Sequence, residues 1–168
     1  DHRDLHSFPT RRSSDLDNLV RIVRQTGADL GFAFDGDADR CIAVAPSGRV
    51  VDGDMMLMVC ARRMNAVGRL AAGDGTPTVV ATVMSNLGLE KLCAREGIRL
   101  VRTPVGDKYV LEEMLRRGAH IGGEQSGHVI FHDHATTGDG MLSALRIVEA
   151  VVASGQSLDE LTADFISF

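Results

Sequence analysis

The chain has 168 residues, 44% apolar and 24% charged, which is enough apolar side chain for the core of one average domain and excludes a disordered chain. Lys and Arg number 18 against 23 Asp and Glu, and the net charge of -5 excludes DNA or RNA gripped by its phosphate backbone while leaving room for a small phosphate ligand. No apolar run approaches the roughly 20 residues of a membrane span and no apolar N-terminal stretch marks a secretory signal, so no membrane partner and a cytoplasmic setting are expected. Cys41, Cys60 and Cys93 are odd in number and form no CxxC pair, which suits reduced thiols and argues against a disulfide framework or structural zinc.

Residues 1–16, DHRDLHSFPTRRSSDL, show neither helical nor strand periodicity and resemble the translation of a sequencing adapter. They are expected to be a non-native or disordered leader, with the native frame beginning near Asp17. Leu19, Val20, Ile22 and Val23 then recur at helical spacing up to a stop at Gly27, and Leu30 to Phe34 form a short apolar strand that ends at Asp35. Cys41 to Ala45 and Arg49 to Val51 flank the turn sequence Pro46-Ser47-Gly48 and predict a β-hairpin. Met55 to Met64 is apolar on most faces, as in a buried helix, and the stretch holding Gly68, Gly73 and Gly75 up to Pro77 reads as a surface loop.

The second half alternates strand and helix. Thr78 to Val83 is a strand, Leu87 to Arg95 a helix behind the cap candidates Ser85 and Asn86, and Ile98 to Arg102 a strand. Asp107 opens a helix as its expected cap, Gly118 closes it, and His120 to Gly122 leads as a strand into a glycine-rich loop. Strand Val129 to Phe131, a helix from about Gly140 to Ala153 and a short helix around Leu158 to Phe165 complete the chain. The alternation predicts an α/β fold with a mixed, mainly parallel sheet and flanking helices, and ligand loops at the carboxyl ends of the strands.

Three loops carry candidate chemistry. In Asp35-Gly36-Asp37-Ala38-Asp39-Arg40, carboxylates at alternate positions of an extended loop project to one side, and their repulsion calls for a hard divalent cation such as Mg²⁺. Arg40 can then hold a phosphate with its planar fork. An EF-hand is excluded, since its sixth and twelfth loop positions are Arg40 and Pro46 rather than glycine and glutamate. In Gly122-Gly123-Glu124-Gln125-Ser126-Gly127-His128 the glycines permit close backbone approach, and Glu124, Ser126 and His128 supply a carboxylate, a hydroxyl and a titratable ring suited to sugar hydroxyls. In Thr103-Pro104-Val105-Gly106-Asp107-Lys108-Tyr109, Lys108 stands on the first turn of a helix, where it can meet an anion. His132-Asp133-His134 lacks a nearby third ligand and is assigned no metal.

Taken in order, FDGDADR, VMSNLG, TPVGDKYV, GGEQSGH and TTGDG resemble the α-D-phosphohexomutases, five motifs in register over about 110 residues. GGEQSGH with VGDKYV is most similar to the bacterial glucosamine branch of that family, the phosphoglucosamine mutases. The resemblance covers roughly Asp17 to Phe168. It implies the C-terminal part of domain 2 with its metal loop over 17–50, sugar-binding domain 3 over 51–155 and the start of a linker to domain 4 over 156–168.

By the same resemblance Asp35, Asp37 and Asp39 bind Mg²⁺ and Arg40 contacts the phosphoryl group. Glu124 and Ser126, with Gly123, bind a hexosamine phosphate, His128 lines that pocket, and Lys108 or His128 exchanges the hydroxyl proton. Lys108 replaces a frequent arginine and loses its bidentate fork. The implied reaction interconverts glucosamine 6-phosphate and glucosamine 1-phosphate through a phosphoserine and a bisphosphate, for amino-sugar biosynthesis. The family's TASHNP-type serine loop and its arginine-serine-glycine phosphate clamp have no counterpart here, so the polypeptide alone is expected to be inactive. Oligomeric state stays open. The alternatives are a phosphomannomutase/phosphoglucomutase of the same family, a haloacid-dehalogenase-like phosphatase with Asp35 as nucleophile, and a non-catalytic sugar-phosphate-binding module.

Overall fold

Helix α1, Arg11–Thr26, carries Leu19, Val20 and Val23 on one side and packs with it on the first two strands. The computed structural model describes residues 11–168, with side chains from residue 15 onward. The helix therefore starts inside the segment expected to lack periodicity. Leu16 lies one turn before Leu19 and Val20, and a formed helix extends through polar residues at little cost. Residues 1–10 of the expected leader lie outside the described residues.

Strands β1 (Gly31–Phe34), β2 (Cys41–Val44) and β3 (Val50–Val51) form an antiparallel sheet in the order β1-β2-β3, with the expected hairpin between β2 and β3. Helix α2, Gly53–Ala66, begins earlier than its apolar run because Asp52 caps it, accepting the Met55 N–H at 3.1 Å. Every residue from Gly53 to Ala61 is buried, since α2 packs on β2, on the second sheet and on the helices Leu87–Arg95 and Gly140–Ser154. This helix joins the two sheets into one core.

The second sheet has the order β5-β4-β6-β7, built from β4 (Thr78–Thr82), β5 (Arg99–Thr103), β6 (Ile121–Gly123) and β7 (Val129–Phe131). Strands β5 and β6 pair with β4 in parallel and β7 pairs with β6 antiparallel, so the sheet is mixed and mainly parallel, as expected. Central β4 is buried on both faces. Its Val79 and Ala81 join the core around α2, α3 (Leu87–Arg95) and α5 (Gly140–Ser154), while Val80 packs with Val110 and Met114 of α4 (Asp107–Arg117) on the opposite face. Asp107 is the first residue of α4 rather than its cap. Gly106, at φ 131, holds the cap position without a side-chain bond, and Asp107 Oδ1 accepts the N–H of Lys108 instead.

The C-terminal segment folds back on the hairpin. Helix α6, Leu158–Leu161, ends well before Phe165, and the chain beyond it is tied by Arg49, which donates to the carbonyls of Thr162 at 2.8 Å and Phe165 at 2.9 Å. Asp159 accepts the N–H of Ser47 at 2.9 Å, and Arg62 of α2 bridges Glu96 and Asp164. No helix among the described residues is long and apolar enough to cross a membrane.

Asp54, fully buried on the first turn of α2, accepts the N–H of Asn86 at 2.6 Å through Oδ2, while Oδ1 has no hydrogen-bond partner. Burial pushes its carboxyl up to about 6, against the opposing Asn86 bond. The fold thus favours the neutral acid: this contribution is full below the ordinary carboxylate range and is lost as pH rises through about 6. A tenfold difference in proton affinity between the folded and unfolded chain is worth about 1.4 kcal/mol. Asp54→Asn is therefore expected to match the parent chain near pH 4 and to exceed it by about 2 kcal/mol at pH 7.5 in paired denaturant melts.

Candidate functional site

The acidic loop joins β1 to β2. It is a turn rather than an extended segment: the N–H of Ala38 reaches the Asp35 carbonyl at 3.1 Å, and Ala38 adopts φ 58, a left-handed conformation that is costly for a residue with a Cβ. Curling rather than alternation brings Asp35, Asp37 and Asp39 together, each offering a carboxylate oxygen within 4.8 Å of the others. Burial and the neighbouring Asp35 and Asp37 carboxylates push the Asp39 carboxyl above its ordinary range. Asp39 Oδ1 is buried without a hydrogen-bond partner. Three convergent oxygen donors, one of them unsatisfied, fit a hard divalent cation.

Arg40 closes the loop. Its N–H donates to Asp35 Oδ1 at 3.2 Å, and its Nε, buried without a hydrogen bond, lies 3.8 Å from Asp35 Oδ2. Arg40 lines a cleft together with Glu124, Gln125 and Ser126. Glu124 Oε1 is held by the N–H of Gly106 at 3.0 Å, and Ser126 Oγ lies 3.4 Å from Glu124 Oε2. Gln125 Nε2 donates to Asp52 Oδ2 at 3.2 Å.

Glycines dock these loops on each other. The Gly127 carbonyl accepts the Cys41 N–H at 3.1 Å, the Gly53 N–H donates to the Gln125 carbonyl at 3.0 Å, and the Gly140 N–H donates to the Ala38 carbonyl at 2.8 Å. A Cβ on Gly140 would stand 2.7 Å from the Arg40 carbonyl oxygen and 2.8 Å from that of Ala38. Gly123 lies buried within β6, where a Cβ would stand 2.5 Å from the His128 carbonyl oxygen, so it shapes the hairpin with β7 rather than lining the cleft.

His128 is buried, with Nδ1 3.2 Å from Asp39 Oδ2 and Nε2 accepting the Gly138 N–H at 3.0 Å. Lys108 is not brought to the cleft. From the outer face of α4 its Nζ lies 3.7 Å from Glu112, and the side chain is 74% exposed. Thr82, Met84 and Val105 also line the cleft; Met84 and Val105 lie in the quoted motifs VMSNLG and TPVGDKYV, but none of the three has a role in the sequence reading. The signal that would have found them is topological: with Glu124, they lie at or just beyond the carboxyl ends of β4, β5 and β6. The 136–140 loop, assigned no role from its residues, supplies Gly138 and Gly140 to the acidic loop.

A family model described as phosphoglucomutase/phosphomannomutase, alpha/beta/alpha domain III, matches residues 52–167, and the corresponding domain II model matches residues 2–48. The phosphoglucosamine mutase of Solibacter usitatus is 60% identical over 149 residues, covering 89% of this chain and 32% of that protein. The chain spans about a third of the length of the curated relatives it matches. Among solved structures, a protein assigned as a phosphomannomutase from Thermus thermophilus superposes with a TM-score of 0.78 at 29% identity, covering 91% of this chain and 35% of that one. The Aspergillus fumigatus N-acetylphosphoglucosamine mutase, in complex with GlcNAc-6P and magnesium, shares the fold with a TM-score of 0.64 at 20% identity, over 81% of this chain and 33% of its own.

The docking contacts predict that Gly140→Ala lowers stability by about 1–3 kcal/mol in urea denaturation, because its Cβ meets backbone that cannot move aside. Gly36→Ala, with nothing within 4 Å of the added methyl, is expected to stay within about 0.5 kcal/mol of the parent chain.

Proposed function

The chain belongs to the phosphoglucomutase/phosphomannomutase family, and from that premise we propose that it supplies the metal loop and the sugar-binding wall of a phosphoglucosamine mutase that interconverts glucosamine 6-phosphate and glucosamine 1-phosphate. The observation that carries this reading is a cleft lined by Arg40, Glu124 and Ser126 together, with Arg40 directly following the three convergent aspartates in the chain. The 60% identity to a phosphoglucosamine mutase supports the amino-sugar substrate over the mannose and glucose phosphates of the wider family. Membership of this family also sets aside the dehalogenase-like phosphatase reading of Asp35.

Phosphoryl transfer asks a protein mainly to position the groups and neutralise charge. Asp35, Asp37 and Asp39 would hold Mg²⁺, which supplies positive charge for the phosphoryl oxygens. Arg40, whose buried Nε has no hydrogen-bond partner, adds a cationic donor to the same group. Glu124 is oriented by the Gly106 amide and accepts from sugar hydroxyls, while Ser126 can donate or accept. Together they hold the ring so that either of its phosphate-bearing ends can be presented to the metal side.

The reading is tested by replacing the matching stretch of the Solibacter usitatus enzyme with this chain's residues. Turnover of glucosamine 6-phosphate within about tenfold of the parent enzyme is expected, with Arg40→Ala lowering kcat by about a hundredfold. A folded chimera that prefers mannose or glucose phosphates overturns the substrate assignment, and one inactive on all three overturns the activity. In calorimetry on the 168-residue chain, Asp37→Asn is expected to weaken Mg²⁺ binding about tenfold or more.

A further inference from the structure

We propose that His128 is a positioning residue for the acidic loop and not the carrier of a substrate proton: the Gly138 amide holds it in the Nδ1–H tautomer, and that N–H anchors one oxygen of Asp39 so that the other is presented to the cation. The inference rests on the reading of Asp35, Asp37 and Asp39 as the Mg²⁺ site.

The tautomer follows from hydrogen-bond chemistry. The Gly138 N–H lies 3.0 Å from Nε2 and is a donor only, so Nε2 must present its lone pair and the proton of the neutral ring sits on Nδ1. Nδ1 faces Asp39 Oδ2 at 3.2 Å and donates to it. With Oδ2 engaged in this way, Oδ1, buried and without a hydrogen bond, is the oxygen left to ligate. Asp107 Oδ2 also approaches Nε2, but at 4.0 Å it is beyond hydrogen-bond distance of a nitrogen already occupied. The ring is 5% exposed, and both nitrogens are directed at protein groups, which leaves neither to meet a sugar hydroxyl.

Glycine at position 138 is part of the device. A Cβ there would stand 2.5 Å from Cε1 and Nε2 and 2.6 Å from Nδ1, so any side chain displaces the ring from Asp39. The 136–140 loop therefore grips the acidic loop twice, through Gly138 and His128 on Asp39 and through the Gly140 N–H on the Ala38 carbonyl. Hydrogen-bond partners of ligating carboxylates set ligand orientation, and their loss weakens metal binding.

The test uses imidazole ¹⁵N NMR at pH 8 and Mn²⁺ binding by paramagnetic resonance, both on the chain itself, with a thermal melt for each variant. The spectrum is expected to show a protonated Nδ1 and an unprotonated Nε2 for His128; an Nε2–H ring overturns the proposal. His128→Ala and Gly138→Ala are expected to weaken Mn²⁺ binding about 10- to 100-fold, whereas His128→Asn, whose amide places a donor where Nδ1 stands, should stay within about threefold of the parent. His128→Gln, whose amide reaches the Nε2 position instead, should behave like His128→Ala, and the Asn and Gln pair decides the matter if the alanine variant does not fold. Equal affinity for the parent and His128→Ala, or equal loss for Asn and Gln, overturns this inference alone. A parent chain that binds no Mn²⁺ overturns the metal reading on which it rests.

Discussion

Like charges confined to one turn are the constraint that the neighbouring loops answer. With carboxylate oxygens of Asp35, Asp37 and Asp39 within 4.8 Å of one another, each ionised pair repels by about 3 kcal/mol at the effective dielectric of a protein surface, before solvent screening at the exposed Asp37 reduces it. The turn is relieved in two ways: Asp39 holds its proton above the usual carboxylate range, and the Arg40 N–H and the Gly140 N–H bond the loop in place. A divalent cation would relieve it further, which links the strain of the loop to its chemistry.

The surrounding architecture supplies backbone to that loop at short range. Four segments distant in sequence converge on it or on the adjoining cleft: the start of α2 at Gly53, the 106 turn before α4, the 122–128 hairpin and the 136–140 loop. Glycine is used where backbone must approach backbone, at Gly53, Gly127 and Gly140, and where it must approach a ring, at Gly138, because a Cβ would enter the neighbouring group. The cost of ordering these loops is carried by the core around α2, which packs against both sheets. The β2–β3 hairpin is held in addition by the C-terminal segment, through Ser47 to Asp159 and Arg49 to the carbonyls of Thr162 and Phe165. The piece of domain II and domain III therefore share one set of hydrogen bonds.

Much of this was legible in the residues. Apolar runs, helical spacing and the turn and cap residues between them placed β1, β2, α2, α3, β7 and α5 within a few positions, because burial leaves its mark on side-chain type. Asp35, Asp37, Asp39, Arg40, Glu124 and Ser126 were picked out as chemistry because carboxylates and an arginine concentrated beside glycines are costly unless they serve a ligand. The start of α1 at Arg11 was not legible, since its first turn is polar and carries no apolar period. Nor was the Gly106 cap of α4, where an acidic residue one place later imitates a cap.

The sequence by itself determined the alternation of strand and helix, the family resemblance and the identity of the acidic and sugar-loop residues, because these depend on local pattern and side-chain type. Tertiary structure alone decided where those side chains face. Lys108 and His128 were equal candidates in the sequence for handling a proton, yet one lies on the outer face of α4 beside Glu112 and the other is enclosed between Asp39 and Gly138. The difference arises from contacts across 10 residues to Gly138 and 89 to Asp39, and no local rule encodes pairings that exist only once both sheets have closed on α2.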